Sequence, residues 1–247
     1  MSWFTRMYHF GLLPHVTPDV TGSIDTYQVT YPKLWFFVLI GLAVVGYLLG
    51  SINSALLVSR RAYHEDIRDF GSKNAGATNM MRTYGKGAAG LTLLGDILKG
   101  VLACAVGIVL LGERGGYVAG LFCIVGHVFP VWFGFRGGKG VATTAAVVLC
   151  LSPITFLVLF SLFVLLVALT RYISLGSVCA MLFYPFALWS FSTTGQRMAY
   201  FIACPERALI ALAIAALVIY KQRTNIRRLF AGKENKFSFH STKKEKN

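Results

Sequence analysis

The sequence predicts an all-α, polytopic membrane protein of about seven transmembrane helices, with the N-terminus outside and the C-terminus cytoplasmic. Three observations carry this. Of 247 residues 55% are hydrophobic and only 14% charged, against about 25% charged in an average soluble domain. The apolar residues lie in long charge-free runs rather than in short alternating stretches. The charge is +14, from 24 Lys and Arg against 10 Asp and Glu. Such a surplus belongs either to a nucleic-acid binder or to a membrane protein with a basic cytoplasmic side, and the apolar fraction decides for the membrane. No nucleic-acid partner is expected.

Residues 1–33 are mixed and lack the pattern of a signal peptide, so they read as an extramembrane extension with Trp3, Phe4, Tyr8 and Phe10 at the interface. From 34 to 59 there is no charge, enough for a helix to span ~30 Å of hydrocarbon. Residues 60–86 are polar, basic and glycine-rich and read as a loop. The stretch 87–111 is apolar except for Asp96 and Lys99, an i,i+3 pair inside a crossing, and 115–135 is charge-free. Residues 140–170 are too long for one upright helix, and Ser152-Pro153 is a good break within them. Further runs cover 172–196 and 208–220, the last starting near Pro205, before a polar, basic tail.

The positive-inside rule orients these crossings. Placing the loops at 60–86, 136–140 and 171–177 and the tail from Lys221 in the cytoplasm puts 18 Lys and Arg inside and five outside. The domain reading is therefore an extension at 1–33, a transmembrane unit at 34–221 with those three loops, and a tail at 222–247. The five cysteines, Cys104, Cys123, Cys150, Cys179 and Cys204, sit in or beside apolar runs without metal-ligand spacing, so neither disulfides nor a metal site is expected.

Chemistry concentrates in the cytoplasmic segments. Gly71 to Arg82 is rich in Gly, Ser, Asn, Ala and Thr; next to a helix start, such a run offers backbone N–H groups and hydroxyls to a phosphate or carboxylate. Arg82 adds a bidentate cation. Gly137-Gly138-Lys139-Gly140 sets a lysine inside backbone that can fold tightly around an anion, although the Walker spacing fails. Gln222 to Lys236 reads as a basic juxtamembrane helix, on which Asn225, Arg228 and Leu229 share a face. On its own, that helix is a lipid-headgroup anchor.

Together, the order and spacing of these segments resemble the PlsY family of bacterial integral-membrane glycerol-3-phosphate acyltransferases. The family's GSxNxGATNxxR pattern falls on Gly71 to Arg82, its glycine-lysine motif on Gly126 to Thr143 with Arg136 in a lysine's place, and its third motif on Gln222 to Lys236. A shorter match covers Arg171 to Ser177. The chain departs where the family usually has Gly, at Lys73, and where it usually has His, at Gln222.

The resemblance implies acyl transfer from acyl phosphate to the sn-1 hydroxyl of glycerol 3-phosphate, at the cytoplasmic face of the bacterial cell inner membrane. It implies a hole for the acyl-phosphate phosphate from Ser72, Asn74, Gly76, Ala77, Thr78 and Asn79. Arg82, Lys139, Ser177 and Asn225 would hold glycerol 3-phosphate, with Gly138 and Gly140 allowing close backbone approach and Arg228 and Glu234 orienting the group. Ser72, Thr78 and Lys139 are the catalytic candidates. No cofactor and no obligate protein partner is implied; the partners are the two substrates and the bilayer. With no nucleophile beside a base, direct transfer is favoured over an acyl-enzyme. The rival class is a transporter of phosphorylated metabolites, which calls for inverted repeats and midplane polar groups that the sequence lacks. His127 reads as structural or as support for the second loop, since Trp132 stands where the His-x4-Asp pair of another acyltransferase family has its acid.

Overall fold

The computed structural model describes residues 32–190 and 205–237. Residues 1–31 of the N-terminal extension, Cys204 and the end of the tail lie outside the described residues; Pro32 and Lys33 already open the first helix. Every regular element among the described residues is helical.

Helix α1 is Pro32–Ser51 and α2 is Ser54–Ala62. The charge-free run therefore does not continue as one rod to 59. Asn53 interrupts it, in extended backbone, and its side chain accepts from the Leu56 amide at 3.0 Å to cap α2. The segment 60–86 is not a plain loop either. It holds a 3-10 turn at Ile67–Asp69 and helix α3 at Ala77–Tyr84, because Ile67, Ala75 and Met80 pack with Leu56 and Ala88 into a small buried core of their own.

Helix α4, Lys86–Val128, folds back on itself. Leu111 and Gly112 leave helical geometry, Gly112 at φ +63, and the two arms run antiparallel from there. The Cys123 thiol lies 3.6 Å from the Lys99 carbonyl and the Cys104 thiol 3.9 Å from that of Gly116. A Cβ on Gly107 would stand 2.3 Å from the Gly115 carbonyl oxygen, so near the tip the backbones touch. The second arm ends at Val128, short of 135, because Phe129 leaves helical geometry and Pro130 follows with no N–H to donate.

Helix α1 lies on the second arm through small residues. A Cβ on Gly50 would sit 2.0 Å from the Cys123 carbonyl oxygen, and one on Gly126 2.2 Å from that of Tyr47. Such contact lets helices associate in lipid, where apolar burial drives little. Helix α5, Val141–Leu151, packs on both arms; α6, Pro153–Thr170, follows a break at Ser152 and forms a hairpin with α7, Ile173–Ser190. Arg171 makes that turn at φ +63. Helix α8, Pro205–Lys221, meets α9, Arg223–Phe230, at a 58° bend. Tyr117, Ile124, Val147, Tyr184, Ile214 and Val218 are buried between these helices, whereas Phe36, Phe37, Leu91, Leu157 and Phe186 are exposed on the outside.

That distribution suits lipid rather than water. Four helical stretches are long and apolar enough to cross a membrane, at 33–62, 86–133, 153–170 and 173–190, and the bent α8–α9 pair makes a fifth. The stretch 86–133 contains the α4 hairpin. The connections at 63–76 and 129–140 and helix α9 then gather at one end of the bundle.

Candidate active site

Loop one, residues 63–76, is fixed from within. Arg68 grips both oxygens of Asp66, Nε to Oδ1 at 2.9 Å and Nη2 to Oδ2 at 2.7 Å, and Arg60 adds a 2.9 Å contact. The Arg68 guanidinium thereby holds the Asp66 carboxyl well below the usual carboxylate range, with Arg60 assisting against partial burial. Arg68 also donates to the carbonyls of Phe133 and Arg136, at 2.9 and 3.1 Å, tying the first loop to the second.

Asn79 is buried and hydrogen-bonded. Its Oδ1 accepts from the Ser72 amide at 2.9 Å and its Nδ2 donates to the carbonyls of Ile67 and Phe70 at 3.1 and 3.0 Å. Its side chain shapes the loop, with both N–H donors engaged. Lys73 stands at φ +56, a left-handed conformation that favours glycine. Gly76 precedes α3 without any side-chain cap. The first N–H groups of α3, at Ala77 and Thr78, thus face outward from a helix start. Among the described residues, the side chains of Ser72, Asn74 and Thr78 make no hydrogen bond, and all three are half-buried.

Loop two folds back on its own helix end. The amides of Gly137 and Gly138 donate to the carbonyls of Val128 and His127 at 3.2 and 3.1 Å. A Cβ on Gly138 would lie 2.2 Å from His127 Nε2 and 2.6 Å from the Ala75 carbonyl oxygen. The close approach that Gly138 permits is therefore to the protein itself, at the junction of the two loops. Gly140 takes φ +82 and opens α5 without a side-chain cap.

Between them, Lys139 reaches α9. Its Nζ donates to Asn225 Oδ1 at 2.7 Å, and Asn225 Nδ2 donates to Glu234 Oε1 at 2.6 Å. The same oxygen accepts from Ser174 Oγ at 2.9 Å, while Arg228 Nε holds Oε2 at 3.0 Å. Burial pulls the Lys139 ammonium down to about 8; Glu234 acts against this, and Arg228 and Arg82 reinforce it. Half-buried Arg82, from α3, is lowered by burial too, while Glu234 raises it and Arg228 lowers it. Its guanidinium makes no hydrogen bond among the described residues. Arg82, Lys139 and Arg228 thus share one carboxylate, Glu234. Such an excess of half-buried positive charge is the signature of an anion site.

Ser177 is turned inward. Its hydroxyl faces the carbonyls of Ile173 and Ser174 at 3.0 and 3.1 Å, and it accepts from Gln222 Nε2. Gln222, buried at the α8–α9 bend, works there as a donor, which needs no titration. The sequence residues therefore divide. Ser72, Asn74, Gly76, Ala77 and Thr78 surround the α3 start; Arg82, Lys139, Asn225, Arg228 and Glu234 form one network; Asn79, Ser177 and Gly138 shape the backbone around them. Sequence reasoning missed Arg68 as the clasp between loops, and its only signal was an arginine two residues from an aspartate.

The class this defines is a helical integral membrane protein with a cluster of cations, drawn from three separated segments, at one end of its bundle. Residues 40–232 match the family model described as glycerol-3-phosphate acyltransferase, and the chain belongs to that family. Curated relatives of that name include one from Finegoldia magna, 39% identical over 81% of this chain and 97% of the relative, and one from Agrobacterium fabrum, 42% identical over 78% and 89%. Two crystal structures of PlsY (YgiH), an integral membrane glycerol 3-phosphate acyltransferase, superimpose on the fold. The glycerol 3-phosphate form has a TM-score of 0.71 at 33% identity, covering 81% of this chain and 96% of PlsY. The lysophosphatidic acid form has a TM-score of 0.69 at 32% identity, covering 82% and 96%.

Proposed function

We propose that the protein transfers an acyl group from acyl phosphate to the sn-1 hydroxyl of glycerol 3-phosphate, at the cytoplasmic face of the bacterial inner membrane. The observation that carries this is the cluster of Arg82, Lys139 and Arg228 around the single carboxylate of Glu234, one loop away from the uncapped start of α3. Two phosphate sites side by side are what two phosphorylated substrates need. The cations, with Asn225 held by Glu234, take the glycerol 3-phosphate. The N–H groups of Ala77 and Thr78 and the free polar side chains of Ser72, Asn74 and Thr78 take the acyl phosphate.

Transfer is direct. The sn-1 oxygen attacks the acyl carbon, the bond from that carbon to the phosphate oxygen breaks, and the hydroxyl proton leaves with the phosphate. The loops supply proximity and charge for the developing oxyanion. The acyl chain enters from the bilayer between helices. Seven crossings serve this layout: α1 with α2, the two arms of α4, α5, α6, α7 and α8, with the N-terminus outside and the basic loops and tail inside.

The test uses purified protein in lipid with palmitoyl phosphate and radiolabelled glycerol 3-phosphate. The expected result is label in lysophosphatidic acid with one inorganic phosphate released per product. Phosphate release without glycerol 3-phosphate would overturn direct transfer. Label carried across a sealed vesicle without entering lipid would replace the enzyme by a transporter.

A further inference from the structure

Beneath the junction of the two loops lies a polar group that the reaction above does not use. Asp96, Lys99 and His127 are 2%, 5% and 3% exposed, between the arms of α4. Lys99 Nζ stands 2.9 Å from Asp96 Oδ1, donates to the Ile52 carbonyl at 2.9 Å and meets His127 Nδ1 at 2.8 Å. Nδ1 also lies 3.5 Å from Asp96 Oδ1; beside the Lys99 ammonium, which has donors only, Nδ1 accepts in the tautomer that carries the ring proton on Nε2. That nitrogen points at the place where the loops meet. A Cβ on Gly138 would fall 2.2 Å from it and 2.6 Å from the Ala75 carbonyl oxygen. Among the described residues, Nε2 has no hydrogen-bond partner. The nitrogen is not fully buried; it keeps some exposure at the junction and is open to a ligand there. Lys139 is the next residue after Gly138, and the uncapped α3 start lies two residues beyond Ala75.

We propose that His127 Nε2–H donates to a phosphoryl oxygen of substrate at the junction of the two loops, with Lys99 and Asp96 as the positioning residues that fix its tautomer. This rests on the acyl-transfer reading for what the substrate is, and on the geometry alone for the donor. The phosphoryl oxygen belongs either to acyl phosphate or to glycerol 3-phosphate, and the test distinguishes the two.

The test is a 15N spectrum of histidine-labelled protein in detergent, with the His127 signals assigned by their loss in His127→Asn. Probes are glycerol 3-phosphate, hexadecylphosphonate as an unreactive stand-in for acyl phosphate, and inorganic phosphate. The free protein is expected to show the Nε2–H tautomer, and one of the two organic probes is expected to shift Nε2; which one identifies the substrate. Kinetics give a second readout. His127→Gln, whose amide nitrogen reaches the Nε2 position, should stay within about threefold of wild type. His127→Asn should raise KM for the same substrate roughly ten- to a hundredfold, as for a lost hydrogen bond to a charged group. An Nδ1–H tautomer, an Nε2 signal that no probe moves, or an unchanged KM in folded His127→Asn would each overturn the proposal. If wild-type protein makes no lysophosphatidic acid, the acyl-transfer reading fails by itself, and a phosphate-induced shift at Nε2 still decides whether His127 is an anion donor.

Discussion

Charged side chains hold both ends of the bundle, but their arithmetic differs. At the tip of the α4 hairpin two arginines face two glutamates. Arg114 Nε lies 3.0 Å from Glu206 Oε1 and Arg207 Nη2 lies 2.8 Å from Glu113 Oε2, closing the hairpin onto the start of α8. Arg207 also lies over the Tyr117 ring. At the loop end, Arg82, Lys139 and Arg228 share Glu234 among the described residues. A matched set joins helices. An unmatched set, half-buried, keeps positive charge in reserve for a ligand. Counting charges within a network therefore separates a staple from a binding site where counting ion pairs does not.

The comparison breaks most sharply at Lys139. Lys139→Ala removes one of the three cations and the partner of Asn225, and kcat/KM for glycerol 3-phosphate should fall about a hundredfold or more, with thermal unfolding close to wild type. Steady-state kinetics beside a melting curve check it.

Next is pH. The charged form of Lys139 is present below about 8 and lost above it, and bound phosphate raises that value. KM for glycerol 3-phosphate should accordingly rise above about pH 8, by up to about tenfold per pH unit. Lys139→Arg stays charged and should flatten that alkaline limb. A KM profile from pH 6 to 10 for both proteins decides it.

At the other end the expectation reverses. Arg207→Gln removes the Arg207–Glu113 ion pair and should cost about 2 kcal/mol of stability, a fall of about 4–8 °C in Tm, while kcat/KM at permissive temperature stays within about twofold. A large kinetic effect there would erase the distinction between the two ends.

The smallest effect sharpens the loop itself. Lys73 holds φ +56, a left-handed conformation that favours glycine, so Lys73→Gly should relieve about 1 kcal/mol and raise Tm by about 2–4 °C. Differential scanning calorimetry measures it, with activity expected within about threefold.

Much of this was legible in the residues. Charge-free runs mark the apolar helices, Ser152-Pro153 marks a real break, and residues of three separated motifs, Arg82, Lys139 and Asn225 with Glu234, lie together. What was not legible depends on contacts made across the sequence. Asn53 looks like one polar residue in an apolar run until its cap on Leu56 shows that the helix restarts there. Helix α3 hides in a glycine-rich segment because its reason to form is burial of Met80 against Leu56 and Ala88. Asn79 and Ser177 also carry local bonds that their motifs do not announce, Asn79 to the Ser72 amide and the carbonyls of Ile67 and Phe70, Ser177 to Gln222 and two carbonyls. At Gly138 the missing side chain also lets His127 and the Ala75 carbonyl approach, a contact the motif does not announce.

The most direct measurement is equilibrium binding of radiolabelled glycerol 3-phosphate, without acyl donor, to wild type, Lys139→Ala and Arg207→Gln, each shown to be folded. Wild type and Arg207→Gln should bind alike, and Lys139→Ala should lose most of its affinity. Equal binding by all three, or loss in Arg207→Gln alone, would contradict the assignment of the uncompensated cluster as the phosphate site.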